Sequence, residues 1–152
     1  MDILEQICRC IIQGKSVGTR LLHDNLRSAV LVAYALDGQQ VVGTSVHKRP
    51  QEGYRRKIEN WTGLDLTGYI ERGYTAVLPD HRGRGIGSRL VRGLVERSGG
   101  AKIYVTIRLN NEAPLRMTQR IGMTLQARFL NERTGHDIGV FTNQPEAHPP
   151  SS

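Results

Sequence analysis

Apolar positions recur at helical spacing from the start of the chain. Ile3, Leu4, Ile7, Cys8, Ile11 and Ile12 fall on one face of an amphipathic helix over 2–13, and Gly14 supplies a stop. Val17, Leu21, Leu22 and Leu26 extend the pattern into a second helix, with Ser16 as its cap. Then the period changes. Residues 29–36 read as a strand, Asp37-Gly38 as a hairpin turn, and 39–46 as the returning strand. The stretch 47–65 is polar and basic, carries Pro50, Gly53 and Gly63, and reads as a loop or a short mobile helix. A long strand is expected over 66–78, broken by Pro79.

Ile86, Leu90, Val91, Leu94 and Val95 form the inner face of a helix over 85–98, ended by Gly99-Gly100. Ile103, Val105 and Ile107 alternate, the mark of a half-buried strand over 102–109. A short helix over 111–121 stops at Gly122, and a hairpin over 123–131 and 137–142 turns around Arg133-Thr134-Gly135. From Gln144 onward the Pro- and Ser-rich composition is that of a disordered tail. The order predicts a single domain over 1–143, of α/β (α+β) class, with helices on the faces of a sheet, and a tail over 144–152.

Length and composition narrow the class. A chain of 152 residues suits one hydrophobic core. No apolar run approaches a membrane span, and Asp2 and Glu5 stand where a signal peptide would be basic, so a cytoplasmic protein is expected. Cys8 and Cys10 point in different directions on a helix, and no second Cys or His pair completes a zinc spacing; no metal is expected. The net charge of +7 fits a nucleic acid, an acidic substrate or a polyanionic cofactor without choosing among them. Aromatic residues are sparse and no nucleic-acid-binding motif is present, which weighs against the first.

One segment carries chemistry. In Arg82-Gly83-Arg84-Gly85-Ile86-Gly87-Ser88, three glycines alternate across the start of the helix that follows the long strand. A helix start offers unpaired N–H groups and the positive end of the dipole, and glycines let that backbone approach an anion. Arg82 and Arg84 add charge and Ser88 a hydroxyl, a set suited to a pyrophosphate. The spacing is neither that of a P-loop nor that of a dinucleotide fingerprint.

The stretch from Tyr74 to Ser88 resembles the core of the GNAT (Gcn5-related N-acetyltransferase) superfamily. There a strand ends in an apolar residue and a (Gln/Arg)-x-x-Gly-x-(Gly/Ala) loop opens a helix. Arg82, Gly85 and Gly87 fill those positions. A second family element, an Asn followed by a Tyr or Asn and then Gly-Phe, matches Asn111, Thr118 and Gly122-Met123. The resemblance covers roughly 29–142 and departs at three points, one of them Met123 in place of the aromatic residue after glycine, a packing change. Thr118 stands where many members carry a tyrosine acid, and the usual first strand is not evident before the helix at residue 2.

The resemblance implies a mixed, mostly antiparallel sheet flanked by helices. It implies an N-acetyltransferase that moves an acetyl group from acetyl-CoA directly to a small-molecule or peptide amine, with no metal and no membrane partner. By the same resemblance the backbone of Ala76 and Val77 holds the pantetheine arm, and Arg82, Gly83, Arg84, Gly85, Ile86, Gly87 and Ser88 bind the pyrophosphate. Asn111 contacts the coenzyme from the next helix. A backbone N–H near Val77 polarises the thioester carbonyl. Glu71, eleven positions before Arg82, has the spacing of the strand glutamate that acts as general base in the histone acetyltransferase branch. Its alternative is an exposed strand carboxylate paired with a neighbouring Arg.

Loss of the tyrosine acid leaves a catalytically silent CoA-binding protein as the second reading and a small basic nucleic-acid-binding domain as a distant third. His47 is a further base candidate beside its reading as a structural histidine. The 47–65 segment, with Arg55, Arg56, Lys57 and Trp61, is expected to shape the acceptor site. Nothing in the sequence excludes a homodimer.

Overall fold

The computed structural model describes residues 2–13 and 22–144. The expected stop at Gly14, the helix start at Ser16 and Val17, and the tail beyond Gln144 lie outside the described residues. Helix α1 (Ile3–Gln13) forms where the periodicity requires, with Asp2 Oδ1 accepting the Glu5 N–H at 2.7 Å. It buries Ile7, Cys8, Cys10 and Ile11, and both cysteines are free. Helix α2 (Leu22–Arg27) buries Leu22 and Leu26.

Strands β1 (Leu31–Asp37) and β2 (Gln40–Lys48) make the expected antiparallel hairpin, in register from Leu31↔His47 to Asp37↔Gln40. Gly38 takes the turn at a φ of 62°, where a side chain would be strained. A register shift lies between Ala35 and Leu36.

The chief departure from the sequence pattern is α3 (Glu52–Thr62), a full helix where a loop or short helix is expected. Its polar residues are the helix's own electrostatic support. Arg55 Nη1 meets Glu59 Oε1 at 3.0 Å and Arg56 Nη2 meets Glu52 Oε1 at 2.7 Å, both i,i+4 pairs. Gln51 Oε1 caps the first turn by accepting the Tyr54 N–H, and Gly63 ends the helix in the left-handed region. Glu59 Oε2 then accepts the Leu66 N–H at 2.7 Å, tying the following loop to the helix. Ile58 is the only fully buried residue of α3, which is why no hydrophobic stripe betrays it.

Strand β3 (Ile70–Val77) starts later than expected, because Gly68 turns at a φ of 79° and Asp65 Oδ1 caps Thr67 N. A single 3-10 turn (Pro79–His81) and the glycine loop lead into α4 (Ile86–Glu96). Then come β4 (Ile103–Arg108), α5 (Glu112–Arg120), β5 (Thr124–Asn131) and β6 (His136–Thr142). The hydrogen-bonded strand order is β1-β2-β3-β4-β6-β5, mostly antiparallel, with β3 parallel to β4 at Ile70↔Ile103 and Glu71↔Tyr104.

The chain divides into two compact units, residues 1–49 with 72–100 and residues 50–71 with 101–152. Each has its own core. The first packs Ile7, Cys10, Ile11, Leu26, Val42, Val46, Tyr74 and Ala76 together between α1, α2 and the strands. The second packs Ile58, Leu64, Leu66, Tyr69, Tyr104, Phe129 and Val140, with α3 against β5.

Because Ile58 is the one fully buried residue of α3, Ile58→Ala should lower stability to urea by about 2–5 kcal/mol, the range for a large-to-small core change. Lys57→Ala, on the exposed side of the same helix, should cost no more than about 0.5 kcal/mol. Equal effects of the two in denaturation curves would show that α3 is not anchored in this way.

Candidate functional site

The glycine loop belongs to the first unit, and its shape follows from backbone conformation. Gly83 (φ 79°) and Gly85 (φ 77°) both occupy the left-handed region, and nothing lies within 4 Å of a Cβ added to either. The glycines are therefore required by the turn and leave open space above the backbone. Gly85 is the N-cap residue of α4, and its carbonyl accepts the Arg89 N–H at 3.1 Å. No acidic residue stands in the first turn of α4 to neutralise the dipole. Arg84 is exposed beside the turn, while Arg82 reaches back, donating from Nε to the Val77 carbonyl at 3.0 Å.

The approach to this loop is held from both sides. His81 Nε2 and Asp37 Oδ2 lie 2.9 Å apart, linking the 3-10 turn to the end of β1. Leu78 N–H donates to Val42 O at 2.8 Å. A Cβ on Gly43 would sit 2.9 Å from Ile86 Cγ2 and 3.2 Å from Leu90 Cδ1, so this glycine in β2 lets the first turns of α4 settle onto the strands. On Gly87 a Cβ would meet only Val77 Cγ2, at 3.6 Å.

Ala76 is buried, with its carbonyl 3.8 Å from Cys10 Sγ. Two residues earlier, Tyr74 takes a φ of 51°, a conformation that costs a bulky residue about 1–2 kcal/mol. Its side chain is anchored in compensation. Asn25 Nδ2 donates to its hydroxyl at 2.8 Å, and Lys48 Nζ sits 4.6 Å over its ring.

Glu71 and Asn111 belong to the second unit. Glu71 is half-buried and accepts a hydrogen bond from the buried Tyr104 hydroxyl at 3.2 Å. Burial first, then the charge and hydrogen bond of Glu71, push the Tyr104 phenol far up, so it stays protonated. Tyr54 of α3 is also raised, by burial and then by the charge of Glu71. Asn111 is the N-cap residue of α5, yet its side chain makes no capping bond there. Thr118 is fully buried, which fits packing rather than proton donation at a site.

Arg55 and Arg56 are committed to Glu59 and Glu52, so the basic cluster is largely neutralised. Trp61 lies 5.0 Å from the Phe129 ring and edge-on to Tyr54 at 6.4 Å, serving to anchor α3 on β5. The roles of Tyr104, Gly43 and Tyr74 in shaping these elements are not evident in the sequence. An isolated glycine inside a strand pattern was the one available signal, at Gly43.

His47 is fully buried, and neither ring nitrogen has a hydrogen-bond partner. Burial first, then the charge of Arg72, push its pKa from 6.5 down to about 4. It is a neutral structural histidine at ordinary pH. The unfolded chain binds its proton below about pH 6.5 while the folded chain resists until about pH 4, so stability is full above that window and falls as pH drops through it. The loss should be on the order of 3 kcal/mol, and His47→Leu should remove it. Urea unfolding at about pH 7 and about pH 4 checks this; an unchanged acid slope in the variant would assign the sensitivity elsewhere.

Residues 15–123 match the acetyltransferase (GNAT) family. The fold is similar to that of the ribosomal-protein-S18-alanine N-acetyltransferase from Escherichia coli, with 13% identity over 93% of this chain and 88% of that one and a TM-score of 0.68. It is similar to yncA from Salmonella typhimurium, solved with its cofactor acetyl-CoA, with 18% identity over 99% and 90% of the two chains and a TM-score of 0.64. An N-acetyltransferase from Staphylococcus aureus Mu50 shares 16% identity over 93% of each chain, with a TM-score of 0.60. No curated protein matches the chain in sequence. Among the described residues no helix is long and apolar enough to cross a membrane, and no group of acidic, Cys and His side chains is arranged to hold a metal. The chain belongs to the acetyltransferase (GNAT) family and is an acetyl-CoA-dependent N-acetyltransferase.

Proposed function

We propose that the chain holds the pyrophosphate of acetyl-CoA on the backbone of Arg82 to Ser88 and transfers the acetyl group directly to an amine, with Glu71 as general base. The observation that carries the coenzyme assignment is the pair of left-handed glycines, Gly83 and Gly85, opening an eleven-residue helix that has no acid in its first turn. Backbone N–H groups there face an anion without an intervening Cβ. Arg84 adds charge beside the turn, and the remaining guanidinium nitrogens of Arg82 stay available while its Nε holds Val77. Ala76 and Val77 offer main chain to the pantetheine arm, and the uncapped Asn111 side chain is available to the coenzyme.

An amine is mostly protonated at neutral pH and must lose a proton before it attacks. Glu71 accepts that proton, directly or through water. The nitrogen then bonds to the thioester carbon, with a backbone N–H near Val77 polarising the carbonyl; the carbon–sulfur bond breaks, CoA leaves as its thiolate, and the second proton of the now cationic nitrogen passes to solvent to leave the amide. A thiolate is a tolerable leaving group near neutral pH, since thiols titrate at about 8.5. A buried Thr118 in place of the tyrosine acid is consistent with that, and solvent protonates the departing sulfur. Neutralisation of Arg55 and Arg56 removes the main reason to expect a carboxylate or phosphate on the acceptor. Two buried free cysteines fit a cytoplasmic location.

Acetyl-CoA at a hundred times its dissociation constant should stabilise the protein by about 2.7 kcal/mol, seen as a rise in Tm. Gly85→Asp should abolish the rise by placing a carboxylate over the anion site. A Tm indifferent to acetyl-CoA in the unaltered chain would overturn the coenzyme assignment. In CoA-thiol release assays across a panel of primary amines, Glu71→Gln should lower kcat/KM by about 10²–10⁴-fold, with recovery at high pH where the amine deprotonates itself. Undiminished turnover would pass the role to water.

A further inference from the structure

We infer that Tyr104 is a positioning residue for Glu71, a fixed hydroxyl donor that holds the carboxylate in place. This rests on the reading of Glu71 as the general base. The two residues are direct Cα partners where β3 runs parallel to β4, which brings their side chains together. The Tyr104 hydroxyl donates to Glu71 Oε2 at 3.2 Å. Tyr104 is fully buried, and its ring packs edge-on against Tyr69 at 6.3 Å. A buried hydroxyl is almost always hydrogen-bonded, because leaving it unmade costs the desolvation of the group. The phenol therefore cannot turn away from the carboxylate without loss.

The consequence for Glu71 has a definite sign. A donor to the charged form of a carboxylate lowers its pKa. Other groups face the same place from α3: the Tyr54 phenol, which feels the Glu71 charge, and the Arg55 guanidinium, which acts on Tyr104 and is paired with Glu59. As a donor to the carboxylate, the Tyr104 hydroxyl thus favours its ionised form. An ionised Glu71 is the form that can take a proton from an ammonium group. Tyr104, whose own titration is pushed far up, never competes as the acid in this pair.

The test reads Glu71 directly and needs no acceptor. In full-length protein labelled with ¹³C-glutamate, the Glu71 carboxyl resonance is assigned by its absence in Glu71→Gln and titrated from acid to neutral pH. Tyr104→Phe keeps the ring and removes the donor, and should raise the Glu71 pKa by about one unit. Tyr54→Phe should move it less. Site-specific 3-fluorotyrosine at position 104, a stronger donor of nearly the same size, should move it down, so the sign reverses even if the Phe variant folds poorly. A Glu71 titration unmoved by either change at position 104 overturns the inference. The CoA-release assay separates the two claims. If Glu71→Gln keeps wild-type turnover while the titration moves as expected, the base reading fails and the coupling stands. If Glu71→Gln loses activity and the titration does not move, Tyr104 is structural and the base reading survives.

Discussion

The close approach of α4 to the strands beneath it is the constraint on which the first unit depends. Ile86 and Leu90 come down where Gly43 has no side chain, and the start of the helix stands against Val77 at Gly87. That contact fixes where the helix begins. The chain leaving β3 must then turn through Gly83 and Gly85 in the left-handed region to reach it, and the first turn of α4 begins there with N–H groups that have no intrahelical partner. The Arg82 latch on Val77 O and the His81–Asp37 contact hold the incoming chain on either side of the turn.

In the second unit the corresponding constraint is a buried hydroxyl. Tyr104 lies inside a core of Ile58, Leu66, Tyr69 and Val140, where an unpaired polar group is costly. Its partner is a carboxylate at the rim of the strand, so core packing and the orientation of Glu71 are one problem. Helix α3 closes over the same core through Ile58 and carries its charges in internal pairs. A helix of this kind adds a wall without adding net charge from Arg55 and Arg56.

The fully buried polar groups His47 and Thr118 hold shape. His47 is sealed and neutral, and Thr118 is packed within α5; neither is open to an acceptor. Tyr74, held in a left-handed conformation by Asn25 and Lys48, stores backbone strain within the strand that leads to the glycine loop. Glu71 and Asn111 differ from these, one half-buried and the other exposed without a cap.

The sequence by itself determined the elements whose residues bury one regular face. Helices α1 and α4, the first hairpin, β4 and the last hairpin follow from spacings of Ile, Leu and Val that admit one period each. It also determined the glycine turn before α4, because glycine at 83 and 85 is a local requirement of φ that no distant residue supplies. Helix α3 was not legible, since its stability comes from capping by Gln51 and Gly63, ion pairs and one buried isoleucine rather than from a stripe. The true start of β3 depended on a turn at Gly68 tied to α3 through Glu59 and Leu66. Glu71 could be selected by its spacing, but Tyr104 could not, because a strand sequence does not state which residue of another strand will lie opposite. Register, and with it the hydrogen bond between the two side chains, is settled only when the β4 backbone pairs with β3 and both sides of the core are filled.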